Sequence, residues 1–361
     1  MTTLKLGKRS VGAEYPTYFV ADISANHDGN LERAKLLIRL CAKAGADAAK
    51  FQNFRAPKIV SERGFNNLGD QLSHQAKWKK SVLQVYREAS LPWEWTPALK
   101  RECEVCGIEY FSAPYDLEAV DMLDPYVNLF KIGSGDITWP EMLRKVAAKQ
   151  KPVLLATGAS EIEEVQRAVG EILKINSRLV LMQCNTNYTA ALENFRHIHL
   201  RVLETYANMF PSVVMGLSDH TAGHATVLGA VALGARVIEK HFTDDNSGEG
   251  PDRPFSMTPS SWREMVDRTR ELEYALGSSQ KFVAENEKDT VVVQRRCLRA
   301  AQDLKAGTVL REDMLEALRP APRGGVMPFD LTRAVGRKLL RDLPQGEHLR
   351  WAWLAEAEVA E

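Results

Sequence analysis

The chain has 361 residues, with 47 Lys and Arg against 47 Asp and Glu, so its formal net charge is zero and no global field draws it to nucleic acid or an anionic membrane. Hydrophobic residues make up 45% and charged residues 26%, a balance that excludes a disordered segment or a small disulfide-stapled scaffold. Five scattered cysteines (Cys41, Cys103, Cys106, Cys184, Cys297) and the absence of an apolar N-terminal run point to a reducing, cytoplasmic setting, and no stretch approaches the roughly 18 apolar residues of a membrane span.

Short β-branched or aromatic runs recur from the N-terminal side onward: 18–24, 48–52, 109–114, 129–134, 153–157, 179–185, 213–219 and 236–242. Each is followed by a longer helical pattern, as in LERAKLLIRLCAKAG, which keeps apolar residues three and four apart and stops at Gly45. Eight strands alternating with helices predict a (β/α)8 TIM barrel. The polar stretch SERGFNNLGDQLSHQAKWKKS between the second and third runs reads as an insertion over the barrel mouth. After the helix SSWREMVDRTRELEYALG the segment KFVAENEKDTVVVQRR lacks a sustained helical apolar face and marks a boundary. The expected organisation is a barrel over 1–280, a linker over 281–294 and a small β-rich domain over 295–361, where Asp303–Gly307 and Asp342–Gly346 read as paired turns.

In such a barrel the chemistry sits at the carboxyl ends of the strands. The run ends carry Asp22, Asn26 and His27; Lys50 and Gln52; Lys131 and Ser134; Thr157; Asn185 and Tyr188; Asp219 and His220; Glu239 and His241. Lysine is rarely buried without a partner. Lys50 and Lys131 precede polar loops and read as an anion site in preference to structural ion pairs, whereas Lys240 alternates against its neighbours and points outward or pairs with a carboxylate. His220 and His241 end consecutive strands, so closure sets them side by side as two imidazoles suited to a divalent metal, or else bonded to Asp219 and Glu239. The Cys103–Cys106 spacing stands alone and reads as structural.

Several phrases in order, ADISANHDGNLERAKLLIRLCAKAGADAAKFQNF, YFSAPYD, FKIGSGD, LATGAS, GLSDHT, VIEKHFT and GPDRPFSM, resemble the sialic acid synthase family, which includes legionaminic and pseudaminic acid synthases. LKAGTVL, LRPAPRGGVMP and AVGRKLLRDLPQGE resemble its antifreeze-like (SAF, β-clip) domain. The resemblance implies condensation of phosphoenolpyruvate with an N-acetylated amino hexose to a nine-carbon 2-keto acid and phosphate. It implies that Lys50, Lys131 and Ser134, with Thr157 and Ser218, hold phosphoenolpyruvate, and that His220 and His241 bind Mn²⁺, or Mg²⁺ or Co²⁺ in its place. Gln52, Asn185, Tyr188 and Asp252 would meet the sugar, Asp22 and Glu239 would move protons, and Arg319 would reach a neighbouring subunit's site in a domain-swapped homodimer. Departures fall on the sugar side: Asp22 and Asp136 stand where Glu is usual, Ala156 where Ser is common and Arg253 where His is frequent, and Gln183, Asn185, Thr186 and Thr189 alter one loop. Two other readings are a condensing enzyme acting on a sugar phosphate, whose families lack this C-terminal domain, and a non-catalytic sugar- or ice-binding protein.

Overall fold

The computed structural model describes residues 2–69, 75, 78–188, 191–248 and 250–356. The barrel strands are β3 (Tyr18–Asp22), β4 (Ala48–Asn53), β5 (Glu109–Pro114), β6 (Phe130–Ile132), β7 (Val153–Ala156), β8 (Leu179–Cys184), β9 (Val214–Asp219) and β10 (Val237–His241), preceded by a hairpin, β1 (Leu4–Leu6) and β2 (Arg9–Val11). Strands β3 to β10 pair in parallel in chain order, and β10 closes on β3. All eight expected runs are therefore strands. They are buried along nearly their whole length because side chains fill the barrel on one face and helices cover the other. Local signals place the first helix, Leu31–Ala44: the Asn30 side chain accepts from the Arg33 amide at its start, and Gly45 takes a left-handed conformation at its end.

The hairpin, which the sequence pattern did not announce, lies at the amino ends of the strands, where Arg9 pairs with Asp47 just before β4. There the helix Pro259–Leu276 also grips the chain before β3, with Glu273 accepting from the Thr17 amide at 2.6 Å and Arg270 donating to the Thr17 carbonyl at 2.9 Å. At the opposite end, the insertion after β4 forms helices Ala56–Ile59, Glu62–Asn67 and Val82–Ala89 around a small apolar cluster of Ala56, Val60, Val82 and Leu83. Part of that inserted stretch lies outside the described residues.

The chain divides into two compact units, Met1–Gly277 and Ser278–Glu361. The segment read as lacking a helical face holds a short helix, Lys288–Gln294, with no buried residue. Beyond it, β11 (Cys297–Ala300) and β12 (Leu315–Leu318) pair antiparallel over a core that includes Leu298, Leu310, Val326 and Leu349. The two similar phrases face one another: Leu304 bridges Leu343, Asp342 accepts from the Ala306 amide at 2.8 Å, and Asp303 accepts from the Gln345 amide at 2.8 Å. Each phrase thus caps the other's turn.

Candidate active site

Barrel closure brings four charged side chains from four strands into one interior layer. Asp22 sits opposite Lys50 in the β3–β4 register and opposite His241 in the β3–β10 register. The Lys50 ammonium lies 2.7 Å from Asp22 Oδ2 and 3.4 Å from Glu239 Oε1, while Lys131 lies 2.6 Å from the same Glu239 oxygen. The Ser218 hydroxyl donates to Glu239 at 3.3 Å, and Gln52 Nε2 donates to Asp22 at 3.3 Å. Lys50, Lys131, Asp22 and Glu239 are all nearly inaccessible, a depth at which charges persist only when paired. The lysines read as an anion site are therefore ion-paired as well, and the four charges sum to zero.

The pairs are not equivalent. Burial opposes ionisation of Lys50, but Asp22 and Glu239 outweigh it and raise its pKa above the ordinary lysine value. For Lys131, burial together with the Lys50 charge outweighs Glu239, and its pKa is lowered. Burial also opposes the Glu239 carboxylate, yet the two lysines hold its carboxyl down to about 2. Lys131 is thus the more acidic ammonium, and Glu239 stays ionised.

Beside this layer, His220 directly follows β9 and His241 ends the neighbouring β10, their ring centroids 5.3 Å apart and packed with Phe255 and Tyr188. They do not bond to Asp219 and Glu239 in the way the alternative reading expected. Asp219 is saturated by Lys240 at 2.5 Å and by the hydroxyls of Thr221 and Thr226, on the outer side of the barrel toward the helix Ala225–Ala232. His220 Nδ1 bonds the Asn185 carbonyl at 2.9 Å, which assigns the proton to that nitrogen and leaves Nε2 as an open donor atom. His241 Nδ1 is buried without a hydrogen bond among the described residues, while its Nε2 lies 3.4 Å from Asp22. Burial, reinforced by His241, holds the His220 pKa down to about 3, so the imidazole is neutral in ordinary solution. Two side-by-side imidazoles with open nitrogens fit a divalent ion. No group of three or more His, Cys, Asp or Glu is gathered among the described residues, so other positions on such an ion would fall to water or substrate.

Above the charged layer lies a cavity of about 400 Å³ whose lining includes Gln52, Ser134, Asp136, Tyr188, His241 and Asp252, with an aromatic wall of Phe54, Trp78, Tyr86 and Tyr115. Among its described lining residues there is neither lysine nor arginine. Asp252 accepts from the Ala25 amide at 3.2 Å and stands 3.9 Å from His241. The Ser134 hydroxyl accepts from the Gly158 amide at 2.9 Å. Asp136, noted in the sequence only as a shortened side chain, has a buried oxygen without a partner among the described residues, and burial raises its carboxyl to about 6.

Two expected site residues spend their side-chain polar atoms on the protein itself. The Thr157 hydroxyl donates to the Met182 carbonyl at 3.0 Å and accepts from Tyr206 at 3.1 Å, so it braces the barrel wall. Asn185 spends its side chain on the His197 carbonyl and the Asn187 amide, and acts on His220 through its own carbonyl. Arg319 is exposed in the second unit, its Nε donating to the Gln294 carbonyl at 2.6 Å. Thr189 lies outside the described residues.

A closed parallel barrel with a charged layer and two imidazoles at its carboxyl ends, joined to a small β-rich unit, is the frame of a barrel enzyme with an appended domain. The chain belongs to the NeuB family, whose model matches residues 37–281, and the SAF domain model matches residues 295–355. It is 32% identical to an N,N'-diacetyllegionaminic acid synthase of Campylobacter jejuni over 92% of this chain and 99% of that one. It is also 32% identical to the human N-acetylneuraminate-9-phosphate synthase over 92% of this chain and 91% of that one. A crystal structure of N-acetylneuraminic acid synthetase from Leptospira borgpetersenii in complex with citrate superposes with a TM-score of 0.72 at 26% identity, covering 80% of this chain and 95% of that one.

Proposed function

We propose that the chain is a phosphoenolpyruvate-dependent nonulosonic acid synthase, a transferase that joins phosphoenolpyruvate to an unphosphorylated N-acetylated amino hexose. The observation that carries this reading is the Lys50–Glu239–Lys131 layer set beside the His220–His241 pair beneath a single cavity. C3 of phosphoenolpyruvate forms a bond to the aldehyde carbon of the open-chain sugar, water adds at C2, and the C2–oxygen bond to phosphate breaks. Lys50 and Lys131 hold the carboxylate and phosphate, with Ser134 and Ser218 as hydroxyl partners. Glu239, whose carboxyl the two lysines hold near 2, orients the two ammoniums and is a poor base. Asp22, with one oxygen buried and unpartnered among the described residues, and Asp136, with its carboxyl near 6, are the groups that can hold or pass a proton.

His220 and His241 would hold a divalent ion, manganese before magnesium or cobalt, which when bound supplies the positive charge that polarises the aldehyde oxygen. The charged layer is neutral without a ligand, so the negative charge of phosphoenolpyruvate needs such a counterweight. An unphosphorylated acceptor follows from the lining: two carboxylates, Asp136 and Asp252, and an aromatic wall favour N-acetyl and deoxy substituents over a second phosphate. A reducing cytoplasm suits five free thiols, and a domain-swapped homodimer, read by sedimentation, belongs to the same proposal.

Phosphate release with Mn²⁺, phosphoenolpyruvate and a panel of N-acetylmannosamine, its 6-phosphate and diacetamido-trideoxyhexoses, with mass spectrometry of the product, tests this reading. The expected result is a nine-carbon acid from an unphosphorylated sugar, lost on chelation. Turnover of the 6-phosphate alone overturns the acceptor assignment, and full activity after exhaustive chelation overturns the metal.

A further inference from the structure

We propose that Arg253 is a positioning residue for the acceptor: its guanidinium fastens the loop after β10 to the turn after β3, and so fixes Asp252 and Phe255 over the site. This inference rests on the function proposed above.

A chain leaving β10 at His241 must return across the mouth to set Asp252 beside that same histidine. The intervening segment is polar and carries Gly248 and Gly250, a composition that supplies little apolar burial to hold it in place. Arginine supplies the hold instead. Arg253 is 7% exposed, a degree of burial arginine reaches only when paired. One terminal nitrogen donates to the Asp245 carbonyl at 2.9 Å, and the other pairs with the Asp28 carboxylate. Asp28 also ion-pairs with Arg33, 2.9 Å from an Nε that donates to the Asn26 carbonyl, and Arg33 in turn grips Asp244 with both terminal nitrogens, at 2.9 and 2.6 Å. Two arginines and one shared carboxylate thus bind Asp244 and Asp245 to the turn that follows β3.

The loop wraps the Arg253 side chain closely. A Cβ at Gly248 would lie 2.8 Å from its terminal nitrogen, and one at Gly250 would lie 3.2 Å from its Cγ and Cδ. At Gly248 the contact is under 3.0 Å, so the guanidinium would have to shift to admit a side chain. The residue before Arg253 is Asp252, and two residues after it Phe255 packs 4.9 Å from the His241 ring centroid. A shift of the guanidinium would therefore move both groups together. An imidazole at this position, with two nitrogens on a shorter arm, cannot span the Asp245 carbonyl and Asp28 at once.

The test compares wild type with Arg253→Gln, Arg253→Lys and Gly248→Ala, reading both KM values, kcat, thermal unfolding and amide hydrogen exchange across the loop. In Arg253→Gln the acceptor KM is expected to rise about tenfold or more while the phosphoenolpyruvate KM stays within about twofold. Loop amides exchange faster while the barrel strands stay protected. Arg253→Lys recovers part of the loss, because it keeps the charge opposite Asp28 and gives up the planar fork. An unchanged acceptor KM, or equal rises in both KM values, overturns the proposal. If wild type itself turns over no acceptor, the functional reading fails, and loop exchange decides the tie alone: faster exchange in Arg253→Gln upholds it and unchanged exchange overturns it.

Discussion

Replacing Glu239 by Gln removes one negative charge from a layer that balances at zero and leaves a side chain of nearly the same shape. The depression of its carboxyl from an ordinary 4.5 to about 2 corresponds to about 3 kcal/mol of preference for the ionised form, and removing one member of a buried pair costs about 3–5 kcal/mol. The loss falls on Lys131, since Lys50 keeps Asp22 at 2.7 Å whereas Lys131 has Glu239 as its carboxylate partner at 2.6 Å. For a barrel of this size, thermal unfolding should drop by about 6–12 °C near neutral pH. The sign with pH follows from the depressed carboxyl: its stabilisation is fully present above 4.5 and is lost as pH falls toward about 2. The gap between wild type and variant should close over that interval, where protonated Glu239 and Gln become equivalent. Phosphoenolpyruvate restores negative charge beside Lys131, so it should raise the unfolding temperature of the variant more than that of wild type. Calorimetry with and without the ligand measures both effects. A variant that unfolds within about 2 °C of wild type, with no larger ligand shift, would refute the charge-balance argument.

Asp136 runs the other way, because burial raises its carboxyl from 3.8 to about 6. The stability tied to its neutral form is full below 3.8 and lost as pH rises through 6, so Asp136→Asn should be more stable than wild type by about 2–3 kcal/mol in mild alkali and equal to it in acid. A pH-independent difference in unfolding would count against this. At Gly158, a Cβ would stand 2.4 Å from Thr186 Cγ2 and 2.9 Å from Ser134 Oγ. Gly158→Ala should cost about 1–3 kcal/mol and raise the phosphoenolpyruvate KM by displacing the Ser134 hydroxyl; a normal KM would remove Ser134 from the phosphate side.

The strands were legible because a parallel barrel strand is buried on both faces, so each reads as a short β-branched run whatever its partner. The first helix was legible because Asn30 and Gly45 are local signals. The strand ends pointed to Lys50, Lys131, His220 and His241, since barrel geometry assigns that end to chemistry. What the sequence hid depends on closure. Lys131 and Glu239 meet across 108 residues, and no local pattern reveals which carboxylate serves which lysine. Thr157 carries the same residue type whether its hydroxyl faces a ligand or the Met182 carbonyl. Asp136 becomes unusual only through burial, and the aromatic wall, apart from Tyr115 after β5, comes from an insertion with no sustained period. The β1–β2 hairpin, at three residues per strand, is too short for alternation to stand out.

In β10, Glu239 faces inward to the two lysines while its neighbour Lys240 faces outward to Asp219. These opposite duties are separated by a single peptide unit, because side chains alternate along a strand. Inserting or deleting one residue there would exchange them, sending an ammonium into the charged layer and a carboxylate against the helices. The strand interior is therefore intolerant of length change, while the loops beyond it accept residues without altering that parity. Acceptor scope in this scaffold is open to engineering through the segments after β4, β8 and β10. The condensing chemistry, carried by the strands, can stay fixed while the sugar it acts on is changed.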